Sequence, residues 1–258
     1  MPQTKIVFFD IDGTLIDMQA KKITPKMLET LHRLQDRGIK ICIATGRSPM
    51  VLPKIDGVAF DAYLTFNGSL CYDRKGVIFS NPIPHKDVVR FIQNAAALGR
   101  PVCVSTRGRL AANGTDTDLT DYFFIANEPV PVADNFDAVC AEDIYQLMLG
   151  CRPKDYPALL DGAPGAKIAA WWDRAVDVIP AGGGKGIGIE KMLAYYGLDK
   201  AEALAFGDGN NDREMLQAVG TGVAMENGSP ELKALADEIC GPVYEDGIYH
   251  YCADKGLI

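Results

Sequence analysis

Residues 5–10 read KIVFFD and residues 39–44 read IKICIA. Short continuous apolar runs like these mark strands covered on both faces, as in a parallel sheet between two layers of helices. Between them lies ITPKMLETLHRLQDRG (23–38). Thr24 suits an N-cap and Pro25 the first helical position; Leu28, Leu31 and Leu34 recur on one side, and Gly38 can close the end. A strand, a helix and a second strand of these lengths make a parallel β-α-β unit. AYLTF (62–66) is a third strand, ending at the turn NGS.

The last third repeats the alternation. GIGIEKMLAYYG (186–197) predicts a helix, ALAFG (203–207) a strand, NDREMLQAVG (211–220) a helix and GVAM (222–225) a strand. SPELKALAD (229–237) adds a helix capped by Ser229. The middle differs. After one helix, HKDVVRFIQNAAALG (85–99), it carries mainly strand-like pieces: PVCVS, DIYQLMLGC, AKIAAWW and AVDVIP. The expected fold is α/β: a three-layer, Rossmann-like parallel-sheet core from residues 1–80 and 181–258, interrupted by an α+β module over 81–180. NPIP (81–84) and PAGGG (180–184) read as the two linkers.

The 258 residues are 48% hydrophobic with a formal net charge of −8. An acidic surface argues against nucleic acid or anionic membrane as a main partner. The longest apolar runs fall short of the roughly 18 residues a membrane helix needs. MPQTKIVFF enters a strand with no signal-peptide pattern, so a cytoplasmic protein is expected. The seven cysteines lack C-x-x-C spacing and read as core thiols. Sequons at Asn67, Asn113 and Asn227 read as Asn-Gly turns.

Ligands of open α/β sheets bind beyond the carboxyl ends of the strands. Asp10 and Asp12 follow the first strand, Thr45-Gly46-Arg47 the second, Asn67 the third, and Asp208, Asn210, Asn211 and Asp212 follow ALAFG. Lys185 stands where the chain re-enters the core. Taken singly, each cluster is a turn or a cap; together they point at one sheet edge. Competing motifs fail. PAGGGKG would need glycine at Ile179 and a hydroxyl at Gly186 to be a phosphate-binding P-loop. DGNNDREMLQAV has Arg213 and Val219 where a calcium loop needs glycine and glutamate. The three histidines have no metal-ligand spacing.

Carboxylates, a lysine, a hydroxyl and turn amides suit Mg²⁺ together with a phosphate. Asp10, Asp12, Asp208 and Asp212 carry −4 when ionised, and Mg²⁺ with Lys185 leaves −1. Like charges about 4 Å apart repel by about 4 kcal/mol at an effective dielectric near 20, so a phosphate dianion needs the metal.

These residues resemble the haloacid dehalogenase superfamily of phosphohydrolases. DIDGT (10–14) is similar to its first motif, ATGR (44–47) to its second, Lys185 to its third and GDGNND (207–212) to its fourth. The insertion between the second and third resembles the type IIB cap of the Cof-like subclass, as do NGS (67–69) and EDGI (245–248). One departure is Gly184, where the subclass more often has a small polar residue. The resemblance implies Asp10 as nucleophile forming an aspartyl-phosphate, and Asp12 as general acid, then base. Strand geometry fits, because residues two apart point to the same side. Mg²⁺ is implied on the Asp10 carboxylate, the Asp12 carbonyl and Asp208, with Asp212 orienting a ligand water. Thr45, Gly46, Lys185 and Asn211 are implied to clamp the phosphate, with Arg47 and Asn67 as supports. The cap is implied to select the leaving group, with Trp171, Trp172, Arg107, Arg152 and Asp177 as its candidate residues.

The implied activity is hydrolysis of small phosphorylated metabolites, sugar phosphates foremost, by a monomer or weak homodimer. A phosphomutase would use the same nucleophile. A phospho-Asp signalling receiver would leave Asp12 and the insertion unexplained, and a non-catalytic binder would not need the full set of catalytic residue types.

Overall fold

The computed structural model describes residues 3–125, 127–170 and 172–258. The first part of the chain forms β1 (Ile6–Phe9), α1 (Pro25–Asp36), β2 (Lys40–Ala44), β3 (Ala62–Thr65), β4 (Leu70–Asp73) and β5 (Gly76–Ser80). The middle forms α2 (His85–Ala97), β6 (Cys103–Ser105), β7 (Leu110–Ala112), α3 (Thr117–Ile125), α4 (Phe136–Cys140), β8 (Gln146–Gly150), α5 (Tyr156–Leu160), β9 (Ala166–Ala169) and β10 (Ala175–Pro180). The last part forms α6 (Lys185–Tyr196), β11 (Ala203–Gly207), α7 (Arg213–Gln217), β12 (Thr221–Met225), α8 (Pro230–Lys233), β13 (Glu238–Cys240) and α9 (Gly247–Asp254). These build two compact units. One holds the chain up to Arg47, Pro53–Ser80 and Gly184–Ile258; the other holds Ser48–Leu52 and Asn81–Gly183.

The first unit is a sheet of order β13-β12-β11-β1-β2-β3-β4-β5. Strands β13 to β3 run parallel, with Ile6 of β1 opposite Ala203 on one side and Lys40 on the other. All four residues of β1 are 0% exposed, which is why its sequence does not alternate. Ile6 and Phe8 face Ile189 and Met192 of α6 and Met215 of α7. On the opposite face, the Phe9 ring stacks on Phe206 at 5.5 Å, and Phe206 meets Tyr251 of α9 edge-on at 5.3 Å. Each such apolar side chain contributes about 1.5–3 kcal/mol on burial.

Helix α1 starts as its sequence indicates: Thr24 Oγ1 accepts from Met27 N at 3.1 Å, with Pro25 in the first turn. Its buried stripe is Met27, Thr30, Leu31 and Leu34. Met27, not Leu28, thus completes the apolar face. Gly38, at φ +74°, then reverses the chain, and Ile39 N returns to Leu34 O at 3.0 Å. The core sheet is not wholly parallel. Strands β4 and β5 extend it as an antiparallel hairpin, because the short NGS turn reverses the chain directly where a parallel neighbour would need a crossover.

The second unit is a five-stranded antiparallel sheet of order β7-β6-β8-β10-β9. Val104, Leu147, Leu149, Val176 and Val178 face α2, α4 and α5, while Cys103 and Met148 on the other face pack with Leu119 and Phe123 of α3. The helix of α3 is not legible in composition, since Thr, Tyr, Phe and Ile disfavour helix. Its start is held locally by Asp116, whose Oδ1 accepts from Leu119 N at 2.8 Å. Trp172 lies in the bend after β9, not on the strand; Trp171 lies outside the described residues. No helix among the described residues is long and apolar enough to cross a membrane.

Candidate active site

The carboxyl ends of β1, β2, β3 and β11 lie along one edge of the core sheet, so the four polar clusters converge. Asp10 N donates to Phe206 O at 3.0 Å, continuing the ladder one residue past β1 and fixing where the Asp10 side chain leaves the sheet. Gly13 then turns at φ +83°, and a Cβ there would lie 2.2 Å from Asp208 Oδ2. Only glycine lets the first loop approach that carboxylate.

Lys185, at the first turn of α6, is 1% exposed. Its Nζ donates to Asp10 Oδ1 at 2.7 Å and to Asp212 Oδ1 at 2.5 Å. The other oxygen of Asp212 accepts from Asp208 N and Gly209 N, both at 3.0 Å. Asp212 therefore ties the loop after β11 to the lysine. Thr14 Oγ1 donates to Asp208 Oδ1 at 3.2 Å. Carboxylate oxygens of Asp10, Asp208 and Asp212 can all be chosen within 4.8 Å of one another.

The charge is unbalanced. Burial first, then Asp212, Asp208 and Asp12, push the Asp10 carboxyl well above the usual range, against the pull of Lys185. Burial and Asp212 push Asp208 up to about 7. Burial disfavours charge on Lys185, but Asp10 and Asp212 outweigh it and hold the ammonium above the ordinary lysine value. Excess negative charge among hard oxygens, beside one buried cation, is the donor set that Mg²⁺ fits.

Asp12 is held differently. Arg47 grips it with two hydrogen bonds, Nε to Oδ2 at 2.8 Å and Nη2 to Oδ1 at 2.6 Å. The two side chains are each 33% exposed. Arg47 therefore sits on the second acid. Thr45 is 1% exposed, and its Oγ1 accepts from Arg47 N at 3.1 Å. Asn67, after β3, is 3% exposed with φ +51°, and its N–H donates to Thr45 O at 3.0 Å. Asn211 Nδ2 donates to Asn67 Oδ1 at 3.2 Å.

Two residues of this edge escape a sequence reading. Thr14 is passed over inside DIDGT. Asn227 reads there only as a sequon, yet its Nδ2 donates to Gly13 O at 2.8 Å and its Oδ1 accepts from Val243 N at 2.9 Å. Its position just past β12, on the same edge, is the signal that could find it. The cap candidates separate from one another. Arg107 is exposed. Arg152 is spent on Asp118 and on the carbonyls of Cys151 and Arg174. Asp177 is 4% exposed and accepts from Tyr122 OH at 2.6 Å. Trp172 carries the Arg174 guanidinium 5.0 Å from its ring centre.

Comparison with known proteins agrees with this geometry. Residues 7–252 match the model of the haloacid dehalogenase-like hydrolases. The chain is 34% identical to the Bacillus subtilis (strain 168) protein named "Putative phosphatase YkrA", over 99% of each chain. It superposes on the phosphatase BT1666 of Bacteroides thetaiotaomicron with a TM-score of 0.92 at 30% identity, covering 99% of this chain and 96% of that one. It superposes on the subclass IIB sugar phosphatase BT4131 with a TM-score of 0.89 at 28% identity, covering 99% and 100%. The sheet order, the four converging clusters and these matches agree, and the chain belongs to the haloacid dehalogenase-like hydrolases.

Proposed function

We propose that the protein hydrolyses phosphate monoesters of small metabolites, sugar phosphates foremost, through an aspartyl-phosphate on Asp10. The observation that carries this reading is the buried Lys185 bridge between Asp10 and Asp212, with the Asp208 carboxylate within reach of both acids. The substrate class is supported by the names of similar proteins: BT4131 is described as a sugar phosphatase, and the B. subtilis protein YitU, 27% identical, is named for a phosphoribityl substrate.

Lys185 holds one oxygen of Asp10, which orients the other toward phosphorus and steadies negative charge on the transferring group. Attack forms the Asp10 O–P bond as the P–O bond to the alcohol breaks. Asp12, two residues on in the loop that turns after β1, where the sequence predicts continued strand, delivers the proton that the leaving oxygen needs. Water then attacks the aspartyl-phosphate, Asp12 takes the proton, and phosphate leaves with Asp10 restored. Arg47 holds both oxygens of the Asp12 carboxylate, so Asp12 must release at least one of these bonds and enter the first step protonated to act as the acid. Asp10, Asp208 and the main-chain carbonyl of Asp12 would hold Mg²⁺, which supplies the positive charge that lets a phosphate dianion approach a carboxylate.

Phosphate release from a panel of sugar, nucleotide and cofactor phosphates, with Mg²⁺ or EDTA, tests this. Metal-dependent release by wild type, and none by Asp10→Asn, is expected. A quenched sample should carry one phosphoryl group on the peptide containing Asp10. Equal turnover by Asp10→Asn would sink the proposed nucleophile.

A further inference from the structure

One short turn holds both loops that carry the acids. Asn227, Gly228 and Ser229 follow β12 on the same edge of the core sheet. Asn227 Nδ2 donates to Gly13 O at 2.8 Å, in the loop after β1. Two residues on, Ser229 N donates to Asp208 O at 2.9 Å, in the loop after β11. Between them Gly228 comes so close that a Cβ there would stand 2.9 Å from Asp208 O. The partners of Asn227 fix which way its amide faces. A backbone carbonyl can only accept and a backbone N–H can only donate, so its nitrogen faces Gly13 O and its oxygen faces Val243 N. The segment behind it is anchored as well. Thr24 Oγ1, at the N-cap of α1, donates to Asp246 Oδ1 at 2.5 Å, and Gly247 N donates to Pro242 O at 3.1 Å. On the other side of the glycine, Gly13 N donates to Ile16 O at 2.9 Å. The peptide that carries the Asp12 carbonyl ends at Gly13, so both sides of that glycine are tied.

We propose that Asn227 is a positioning residue for the metal: by holding Gly13 to the turn that also holds Asp208, it sets the Asp12 main-chain carbonyl and the Asp208 carboxylate in place before an ion binds. This rests on the reading that Asp10, Asp208 and the Asp12 carbonyl take Mg²⁺. A turn that only joined β12 to α8 would use Ser229 as its cap and Gly228 for space. It would have no use for a carboxamide that reaches a residue 214 positions away. Thr14 completes the bracket, since its hydroxyl reaches Asp208 Oδ1 from the residue after Gly13. The gain is preorganisation: a site assembled in advance gives up less freedom when the ion arrives. Asn227 achieves this without adding charge to a cluster that already holds four acids.

The test compares Asn227→Asp and Asn227→Ala with wild type, using Mg²⁺ alone as the probe. Asn227→Asp keeps an acceptor for Val243 N and loses the donor to Gly13 O, while its added charge would by itself draw the cation in. Mg²⁺ binding, read by calorimetry without substrate, should nonetheless weaken about 3- to 10-fold in both variants, the scale of one lost neutral hydrogen bond. At saturating Mg²⁺, kcat for p-nitrophenyl phosphate should return close to the wild-type value, so that the loss appears in the metal requirement and not in the chemical step. In metal-free protein, the amides of Gly13–Ile16 should exchange with solvent faster in both variants, and those of β8 in the cap unit at the wild-type rate. Wild-type or tighter Mg²⁺ affinity in Asn227→Asp overturns the proposal, and so does unchanged exchange over Gly13–Ile16. If Asn227→Ala does not fold, Asn227→Asp decides by the same readouts. Failure of wild type to bind Mg²⁺ also overturns it. A wild type that binds Mg²⁺ but releases no phosphate would count against the phosphatase reading, while the Mg²⁺ affinities of the variants would still decide the role of Asn227.

Discussion

The molecule carries two acidic clusters, and they behave in opposite ways. Among the described residues of the core unit, Asp10, Asp12, Asp208 and Asp212 face the two cations Lys185 and Arg47, and burial with the neighbouring acids drives Asp10 and Asp208 toward their neutral forms. In the cap unit, Asp116, Asp118 and Asp121 face Arg100, Arg152 and Arg174, charge for charge. Hydrogen bonds from Arg152 and then Arg174 hold Asp118 below the usual carboxylate range. The number of carboxylates does not distinguish a site from a brace. The balance of cations within reach does: a matched cluster ties helix α3 to its sheet, and a mismatched one is prepared for a ligand that brings positive charge.

The largest test of this contrast is Asp10→Asn. It should reduce turnover to background, while leaving the metal-free protein about as stable as wild type, because a mutually repelling acid is removed and Lys185 keeps its contact with Asp212. Metal is the next. Mg²⁺ at about a hundred times its Kd should stabilise wild type by about 2.7 kcal/mol, read as a rise in Tm. That rise should shrink between pH 8 and pH 6, as protons compete for Asp208, and should vanish in Asp208→Asn.

Removing Asp118 probes the other cluster. Asp118→Ala leaves Arg152 and Arg174 without their shared acceptor, and should cost about 1–3 kcal/mol in chemical denaturation without changing metal affinity. The pH dependence of stability in EDTA should then separate the two units. A raised carboxylate pKa favours the folded state at low pH, so the core should weaken as pH rises through about 7. A depressed one favours folding above the ordinary Asp value, so the cap should weaken as pH falls through the lowered value of Asp118. Both units weakening in the same direction would break the comparison. The smallest effect is expected at Lys5–Glu202, a surface pair at 2.6 Å whose lysine is exposed. Lys5→Ala should change stability by less than about 0.5 kcal/mol.

The core is legible in the sequence because its signals are local and redundant. Buried strands read as unbroken apolar runs, α1 announces itself with Thr24 and Pro25, and polar residues follow each strand. What stays hidden depends on tertiary partners. That Arg47 grips Asp12 follows from strands β1 and β2 being neighbours, which fixes a distance that no spacing encodes. In the middle of the chain, α3 is a helix against its propensities because Leu119 and Phe123 bury an apolar face on the sheet.

The pairing of β1 with β11 has a consequence for how the protein is made. Ile6 lies beside Ala203, and Asp10 meets Lys185 across 175 residues of chain. At roughly 5–20 residues per second, a ribosome needs roughly 10–40 seconds between them. Through that interval β1 has its β2 side paired at best and its other edge open, an apolar ribbon of four residues able to pair with another nascent chain. Synthesis of the C-terminal third closes that edge and completes the ring of acids in the same step. Soluble yield should therefore track the speed of late synthesis, and a slow stretch of codons between β5 and β11 should lower it more than one placed after β13.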